Sequence, residues 1–128
     1  MRLLLDTHAF LWWVGNADEL SAKAREVIGN PDNDCMLSIA SSWEMAIKSS
    51  IGKLKLRQPV DRFIPEQLAA NGFRQIDIRF CHVSALETLP FHHRDPFDRL
   101  LSVQARQENL LLVSADPIFD LYGVTRIW

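Results

Sequence analysis

Short apolar runs alternate along this chain with segments in which apolar residues recur every three to four positions. The first pattern is typical of buried strands, and the second is typical of helices that bury one face. The apolar runs predict five strands, over Arg2–Leu5, Asp34–Ile39, Arg74–Ile78, Leu110–Val113 and Val124–Trp128. Because helical segments separate these strands, we predict an α/β fold with a mainly parallel sheet and the last strand at its edge.

Residues that cap or end helices set the bounds of the predicted helices. Ser21 is a favoured N-cap, Asp95-Pro96 is a strong helix start because proline suits the first helical position, and Gly15 is expected to end a helix in the left-handed conformation. The predicted helices are His8–Val14, Ala22–Ile28, one from Ser41-Ser42 to Gly52, Val60–Ala70 with a break at Pro65, Val83–Leu89, Asp95-Pro96 to about Glu108, and a short one from Asp116-Pro117. No repeat, linker or low-complexity tract interrupts this order, so residues 1–128 are predicted to form a single domain.

Composition narrows the class of protein. A chain of 128 residues with 48% apolar residues can bury one sizeable core. Its net charge of −2 argues against a protein that grips nucleic acid through bulk positive charge. Cys35 and Cys81 form no close pair and have no metal-ligand spacing, so we expect buried thiols in a reducing cytoplasm. The apolar run Ala9–Val14 is too short to cross a membrane, and no membrane association is expected.

Four acidic residues carry the candidate chemistry. Asp6 and Asp116 follow the first and fourth predicted strands, and Glu44 and Asp98 lie near the starts of predicted helices. The carboxyl edge of a parallel sheet is where α/β folds bind ligands. Carboxylates gathered there repel one another unless a hard cation lies among them. The pattern therefore predicts a Mg²⁺ or Mn²⁺ pocket, a kind of site that suits phosphodiester chemistry.

Each acid taken singly also has a structural interpretation. Asp6 and Asp116 could simply cap the helices that follow them. Ser41-x-x-Glu44 matches a capping box, in which the glutamate bonds back to the start of its own helix. Asp95 and Asp98 have the same spacing, so Asp95 could be a cap or a second acid supporting the site. Only the convergence of four acids at one sheet edge favours a cation over four separate caps.

Four segments, in this order and spacing, resemble PIN-domain ribonucleases, and within them the VapC toxins of type II toxin–antitoxin pairs. They are LLLDTHAFLWW (Leu3–Trp13), SIASSWEMAIK (Ser38–Lys48), HRDPFDRLL (His93–Leu101) and LLVSADPIF (Leu111–Phe119). The resemblance implies a three-layer α/β/α fold and a metal pocket formed by Asp6, Glu44, Asp98 and Asp116. It also implies that Thr7 and Ser114 orient ligands or water beside the acids.

The resemblance further implies a Mg²⁺- or Mn²⁺-dependent endoribonuclease that cuts a structured RNA, such as tRNA or rRNA, and so inhibits translation and growth. The implied partners are a cognate antitoxin and a second copy of the chain. We expect Arg94, Arg99 and Lys48 to contact RNA phosphates, because these cations flank the acids. The histidines His8, His92 and His93 are interpreted as loop or helix-surface residues that a metal nuclease does not need.

Two alternatives stay open from the sequence. One is a PIN-type nuclease that acts in RNA maturation without an antitoxin. The other is a catalytically silent PIN-like binding module, which the presence of all four acids disfavours. A receiver domain is a poor fit, because Thr7 follows Asp6 where a second acid is needed and no lysine occurs after Lys55.

Overall fold

A five-stranded parallel sheet forms the centre of the computed structural model, which describes residues 1–128. Its strands are β1 (Arg2–Leu5), β2 (Asp34–Ser38), β3 (Arg74–Ile76), β4 (Leu111–Val113) and β5 (Arg126–Ile127). The strand order is β3-β2-β1-β4-β5, and all four pairings are parallel. The α/β class, the parallel sheet and the edge position of the last strand are thus confirmed.

Helices cover both faces of this sheet, which makes the fold three-layered. They are α1 (Thr7–Val14), α2 (Ala22–Gly29), α3 (Ile39–Ser50), α4 (Val60–Asn71), α5 (Phe80–Ala85) and α6 (Pro96–Gln107), with 3₁₀ turns at Leu86–Thr88 and Pro117–Tyr122. Alternate residues of β1 point to opposite faces. Leu3 and Leu5 join a core with α1, α2 and α4, whereas Leu4 joins a second core with α6.

The register of the central strands places their carboxyl ends side by side. Leu5, the last residue of β1, lies opposite Leu37 of β2 and Val113 of β4. The backbone N–H of Asp6 then donates to the carbonyl oxygen of Val113 at 3.1 Å, which extends the β1–β4 pairing by one residue. Side chains that follow β1 and β4 are therefore brought together at one edge.

The start of α3 differs from the predicted one, and this changes the interpretation of Glu44. Ser38 is the N-cap, and its hydroxyl accepts a hydrogen bond from the backbone N–H of Ala40 at 3.0 Å. The helix begins at Ile39, so Ser41 lies inside it, buried, with no hydrogen-bond partner for its hydroxyl. Glu44 consequently lies in the second turn, and the predicted capping box does not form.

Three other local predictions are corrected. Gly15 has φ −83°, and Asn16 takes the left-handed conformation instead, with φ 49°. Helix α4 continues unbroken through Pro65, which lacks the N–H that would donate to the carbonyl of Asp61. The helix predicted over Val83–Leu89 begins earlier, at Phe80, because the ring of His82 accepts a hydrogen bond from the N–H of Arg79 and caps the first turn.

No helix is both long and apolar enough to span a membrane.

Of the two cysteines, Cys35 is buried as predicted, and burial raises the pKa of its thiol to about 11. Cys81 is exposed, contrary to the prediction, because the first turn of α5 leaves it on the outer face of that helix.

Candidate active site

Asp6 and Asp116 each serve as a helix cap and also face the carboxyl edge of the sheet. One oxygen of Asp6 accepts a hydrogen bond from the N–H of Ala9 at 2.8 Å. One oxygen of Asp116 accepts from the N–H of Ile118 at 3.0 Å, and its other oxygen is directed to His93. Because each cap needs a single oxygen, the structural and functional interpretations of these acids are compatible.

Asp98 joins Asp116 and His93 in the tightest cluster of the site. The Nε2 atom of His93 lies 3.1 Å from Oδ2 of Asp98 and 3.0 Å from Oδ2 of Asp116. One ligand atom from each of the three residues lies within 4.8 Å of the others, a spacing that one metal ion can bridge. The structure thus brings Asp98 and Asp116 together around Nε2 of His93.

Asp95 is the N-cap of α6. Its Oδ1 accepts hydrogen bonds from the N–H groups of Phe97, at 2.8 Å, and Asp98, at 3.4 Å. This cap leaves the side chain of Asp98, in the first turn, to point toward Asp116. Asp95 therefore positions Asp98, and its charge also acts on Asp98.

Glu44 occupies the other side of the site, where the chain itself satisfies both of its oxygens. Oε1 accepts a hydrogen bond from the hydroxyl of Thr7, and Oε2 accepts from Nζ of Lys48, each at 2.6 Å. The bond to Glu44 raises the pKa of Lys48. Lys48, expected as an RNA contact, is thus an ion-pair partner first, although its side chain is still 37% exposed.

The acids are coupled strongly enough to alter one another's ionisation. Burial, and then the charges of Asp95, Asp6, Glu44 and Asp116, raise the pKa of Asp98 to about 8. Burial also raises the pKa of Asp6, against the opposing effects of hydrogen bonds from Ser114 and Ala9. A group of carboxylates that resists full ionisation is the electrostatic signature of a cation site.

His93 is a site residue that the sequence did not predict. Its Nδ1 accepts a hydrogen bond from the backbone N–H of Asp95 at 3.0 Å, so in the neutral ring Nε2 must carry the hydrogen. That Nε2–H donates to both Asp98 and Asp116. The sequence did hold one signal for this role: His93 lies two residues before Asp95, the N-cap of α6, where its side chain can bond the backbone of the cap.

The remaining predicted residues divide into buried and exposed ones. Arg99 is buried: its guanidinium donates to the carbonyl oxygens of Pro90, Leu86 and Leu89, and Phe91 stacks on it at 3.9 Å. The expectation that Arg99 contacts RNA is therefore wrong, because its donors are already used inside the protein.

Arg94, by contrast, is exposed next to His93 and has no side-chain hydrogen bond or ion pair, so it is available to a ligand. Ser114 is fully buried, and its hydroxyl accepts a hydrogen bond from the N–H of Asp116 at 3.1 Å. Thr7 and Ser114 thus hold Glu44 and the backbone of Asp116 in place, and their role in orienting ligands or water stays a prediction.

The donor set fits a hard divalent cation. Carboxylate oxygens are the ligands that Mg²⁺ and Mn²⁺ favour, and the uncommitted oxygens here belong to aspartates. His93 does not offer a lone pair to a metal in the tautomer that Asp95 imposes, because its Nε2 carries a hydrogen. We therefore assign the candidate ligand set to Asp98, Asp116 and Asp6, with Glu44 completing the acidic wall.

Comparisons with known proteins identify the family of this chain. The profile of the PIN domain family matches residues 3–124. Ribonuclease VapC16 of Mycobacterium tuberculosis is 27% identical over 62 residues, an alignment that spans 48% of this chain and 44% of that protein. The chain thus spans less than half the length of this relative.

Two solved structures share the fold over nearly the whole chain. One is VapBC2 from Rickettsia felis bound to a DNA fragment from their promoter, with a TM-score of 0.71, 15% identity, and coverage of 99% of this chain and 98% of that one. The other is VapBC-1 from nontypeable Haemophilus influenzae, with a TM-score of 0.63, 14% identity, and coverage of 99% and 97%.

The resemblance to PIN-domain proteins of the VapC type, stated above from four sequence segments, is confirmed by these comparisons. At such low identity the solved structures establish the fold alone, whereas the family profile covers most of the chain, including all four acids. The chain belongs to the PIN domain family.

Proposed function

We propose that this protein is a divalent-cation-dependent endoribonuclease that hydrolyses RNA phosphodiesters as the toxin of a toxin–antitoxin pair. The observation that carries the proposal is the meeting of Asp98 and Asp116 around a single N–H of His93, with Asp6 and Glu44 beside them. In a chain of the PIN family, this arrangement supports a phosphodiesterase site. The similarity to a protein named as a ribonuclease supports RNA as the substrate.

Asp6, Asp98 and Asp116 would hold Mg²⁺ or Mn²⁺, with Glu44 at the rim of the pocket. When bound, such a cation acidifies water and offsets negative charge on phosphoryl oxygens. Attack by water predicts products with 5′-phosphate and 3′-hydroxyl ends.

The chain's own residues preorganise this pocket. Thr7 and Lys48 fix both oxygens of Glu44, so this carboxylate keeps its orientation when substrate arrives. Ser114 anchors the backbone of Asp116. His93 keeps its hydrogen on Nε2 and bridges the two facing aspartates, so this hydrogen bond holds both carboxylates until a cation would take its place.

The partners follow from the resemblance. Because the chain shares its fold with chains found in VapBC complexes, we include a cognate antitoxin and a second copy of the chain in the proposal. A structured RNA such as tRNA or rRNA stays the predicted substrate, and the cytoplasm its predicted location. A gene directly upstream that encodes a small DNA-binding protein would favour the toxin over a PIN nuclease of RNA maturation.

Mapping of new RNA 5′ ends after brief expression of the chain without an antitoxin tests the proposal. The control is Asp98→Asn, which keeps the shape of the side chain and removes its charge. We expect discrete new 5′-phosphate ends with the parent chain and none with the variant, provided that circular dichroism shows both to be folded. Identical sets of ends for the two proteins would overturn the assignment of the site.

A further inference from the structure

We infer that the pocket between α1 and the loop after α3 is the subsite for one nucleotide of the RNA strand, next to the phosphodiester that is cut. This inference rests on the proposed ribonuclease function and adds a place for the substrate. The pocket has a volume of about 470 Å³, and its walls include Thr7, His8, Trp12, Lys48 and Lys53. It thus combines aromatic rings with cations, which is the composition of single-strand binding sites.

Two residues make this pocket continuous with the acids. Thr7 and Lys48 line the pocket, and the same side chains hold the two oxygens of Glu44, each at 2.6 Å. A ligand in the pocket therefore lies one side chain away from the acidic cluster.

A stack of rings provides one wall. The imidazole of His8 stacks on the indole of Trp12, with ring centres 5.4 Å apart and planes inclined by 21°. Trp12 is supported from behind by Trp128, at 5.7 Å between ring centres. His8 itself is exposed, so its ring is accessible to a ligand. Unpaired RNA bases bind by stacking on rings of this kind, histidine included.

Cations extend from the pocket along the loop. Residues 53–57 alternate, with Leu54 and Leu56 packed against the core and Lys53, Lys55 and Arg57 exposed. None of these three cations forms a side-chain hydrogen bond or an ion pair, so all three are free for backbone phosphates.

Two other exposed or half-buried arginines are paired with carboxylates within the fold. Arg74 pairs with Asp34, and Arg126 pairs with Asp120. The loop after α3 differs because three unpaired cations lie within five residues, which gives a chain of net charge −2 a local basic surface for RNA. A single strand suits this surface better than a duplex, because the bases of a duplex are not free to stack on His8.

Binding can be separated from cleavage in the Asp98→Asn background with Mg²⁺ present. The probe is a short fluorescent single-stranded RNA, followed by anisotropy at several salt concentrations. His8→Ala should weaken binding about tenfold, the effect of losing one base stack, and His8→Phe should restore it. Lys53→Ala and Lys55→Ala should each reduce the salt slope by about 0.7.

Lys23→Ala is the matched control, because Lys23 is an exposed lysine of α2 that lies outside the pocket. It should leave both the affinity and the salt slope unchanged. Parent-like RNA binding by His8→Ala, or equal losses with Lys23→Ala, would overturn the subsite and leave the pocket to a protein partner.

Cleavage by the otherwise unmodified chain distinguishes this inference from the function on which it rests. If the parent cuts RNA and His8→Ala has the same KM, the subsite is wrong and the ribonuclease stands. If His8→Ala loses RNA binding but the parent cuts no RNA, the subsite stands and the ribonuclease is wrong.

Discussion

The acidic cluster has two sides, Glu44 on one and the Asp98–Asp116 pair on the other, and they differ in the groups that balance their negative charge. On one side, Glu44 is buried with both oxygens satisfied, one by the hydroxyl of Thr7 and the other by the ammonium of Lys48. On the other side, Asp98 and Asp116 face each other with no cationic side chain between them, and the N–H of His93 is the one donor that both accept. Burial and four other carboxylates raise the pKa of Asp98. The charge of Glu44 is thus balanced without a ligand, whereas no cation of the protein balances the charge of the Asp98–Asp116 pair.

This difference indicates where a cation gains most. A carboxylate already paired with lysine must give up that partner to bind metal. Asp98, whose pKa is raised partly by the charge of Asp116, instead loses that repulsion when a cation enters. The four acids that look equivalent in the sequence therefore have different roles. Asp98, Asp116 and Asp6 are the candidate ligands, and Glu44 shapes the pocket from its side.

The largest expected effect is on Mn²⁺ binding, measured by calorimetry for two single variants that each remove one carboxylate charge, one on each side of the cluster. Asp98→Asn should weaken binding by more than about 100-fold, because it removes a ligand. Glu44→Gln should weaken it by about tenfold, as expected for a supporting residue. Equal losses for the two variants would remove the distinction between the two sides.

Replacing His93 sharpens the comparison further. Because its Nε2–H occupies the oxygens that a cation needs, His93→Ala should bind Mn²⁺ about tenfold more tightly, since a hydrogen bond to a charged group is worth about 1.5–3 kcal/mol. His92→Ala is the control, because this neighbouring ring packs on Tyr122 outside the cluster. Weaker binding by His93→Ala would instead make His93 a metal ligand.

The pH dependence of stability tests the side of the cluster that contains Asp98 and Asp116. The folded protein raises the pKa of Asp98 from 3.8 to about 8, so its protonated form stabilises the fold at low pH and that stabilisation is lost as the pH rises to about 8. Thermal unfolding of the metal-stripped chain should therefore occur at lower temperature at about pH 8 than at about pH 5.

Asp98→Asn should remove much of this dependence and raise the melting temperature at about pH 8 by roughly 5 °C. Saturating Mn²⁺ should stabilise the parent and not the variant. The same pH slope in both proteins would mean that Asp98 is not the group that titrates.

Asp95 gives the smallest effect, because its role is that of a cap. Asp95→Ala should destabilise the protein by about 1 kcal/mol, and Asp95→Asn by much less, since asparagine caps as well as aspartate does. Urea unfolding of the two variants at equal pH would measure the difference. A loss of Mn²⁺ binding in Asp95→Asn comparable to that of Asp98→Asn would make Asp95 a ligand.

The sequence predicted what depends on short stretches of chain. The strands before Asp6 and Asp116 are continuous apolar runs, and parallel order follows from the helices between them, so both acids were placed at the correct edge. Asp95-Pro96 was correctly predicted to start a helix for the same reason, because cap and helix lie within a few residues.

What the sequence missed depends on contacts between distant segments. His93 acquires its role from Asp116, which lies 23 residues away. Arg99 looked available to RNA because it follows Asp98, yet its guanidinium donates to carbonyl oxygens of the preceding loop. Glu44 was open to a capping-box interpretation because Ser41 has the right spacing, whereas Ser38, at the end of β2, starts the helix.

Cleavage of RNA by purified protein tests the central claim most directly, namely that Asp98 and Asp116 hold a cation that the reaction requires. The parent chain and Asp98→Asn would be stripped of metal, mixed with total RNA, and assayed with and without added Mn²⁺. We predict new 5′-phosphate ends only with the parent and only after Mn²⁺ is added. Cleavage by the metal-stripped parent, or equal cleavage by Asp98→Asn, would contradict this account.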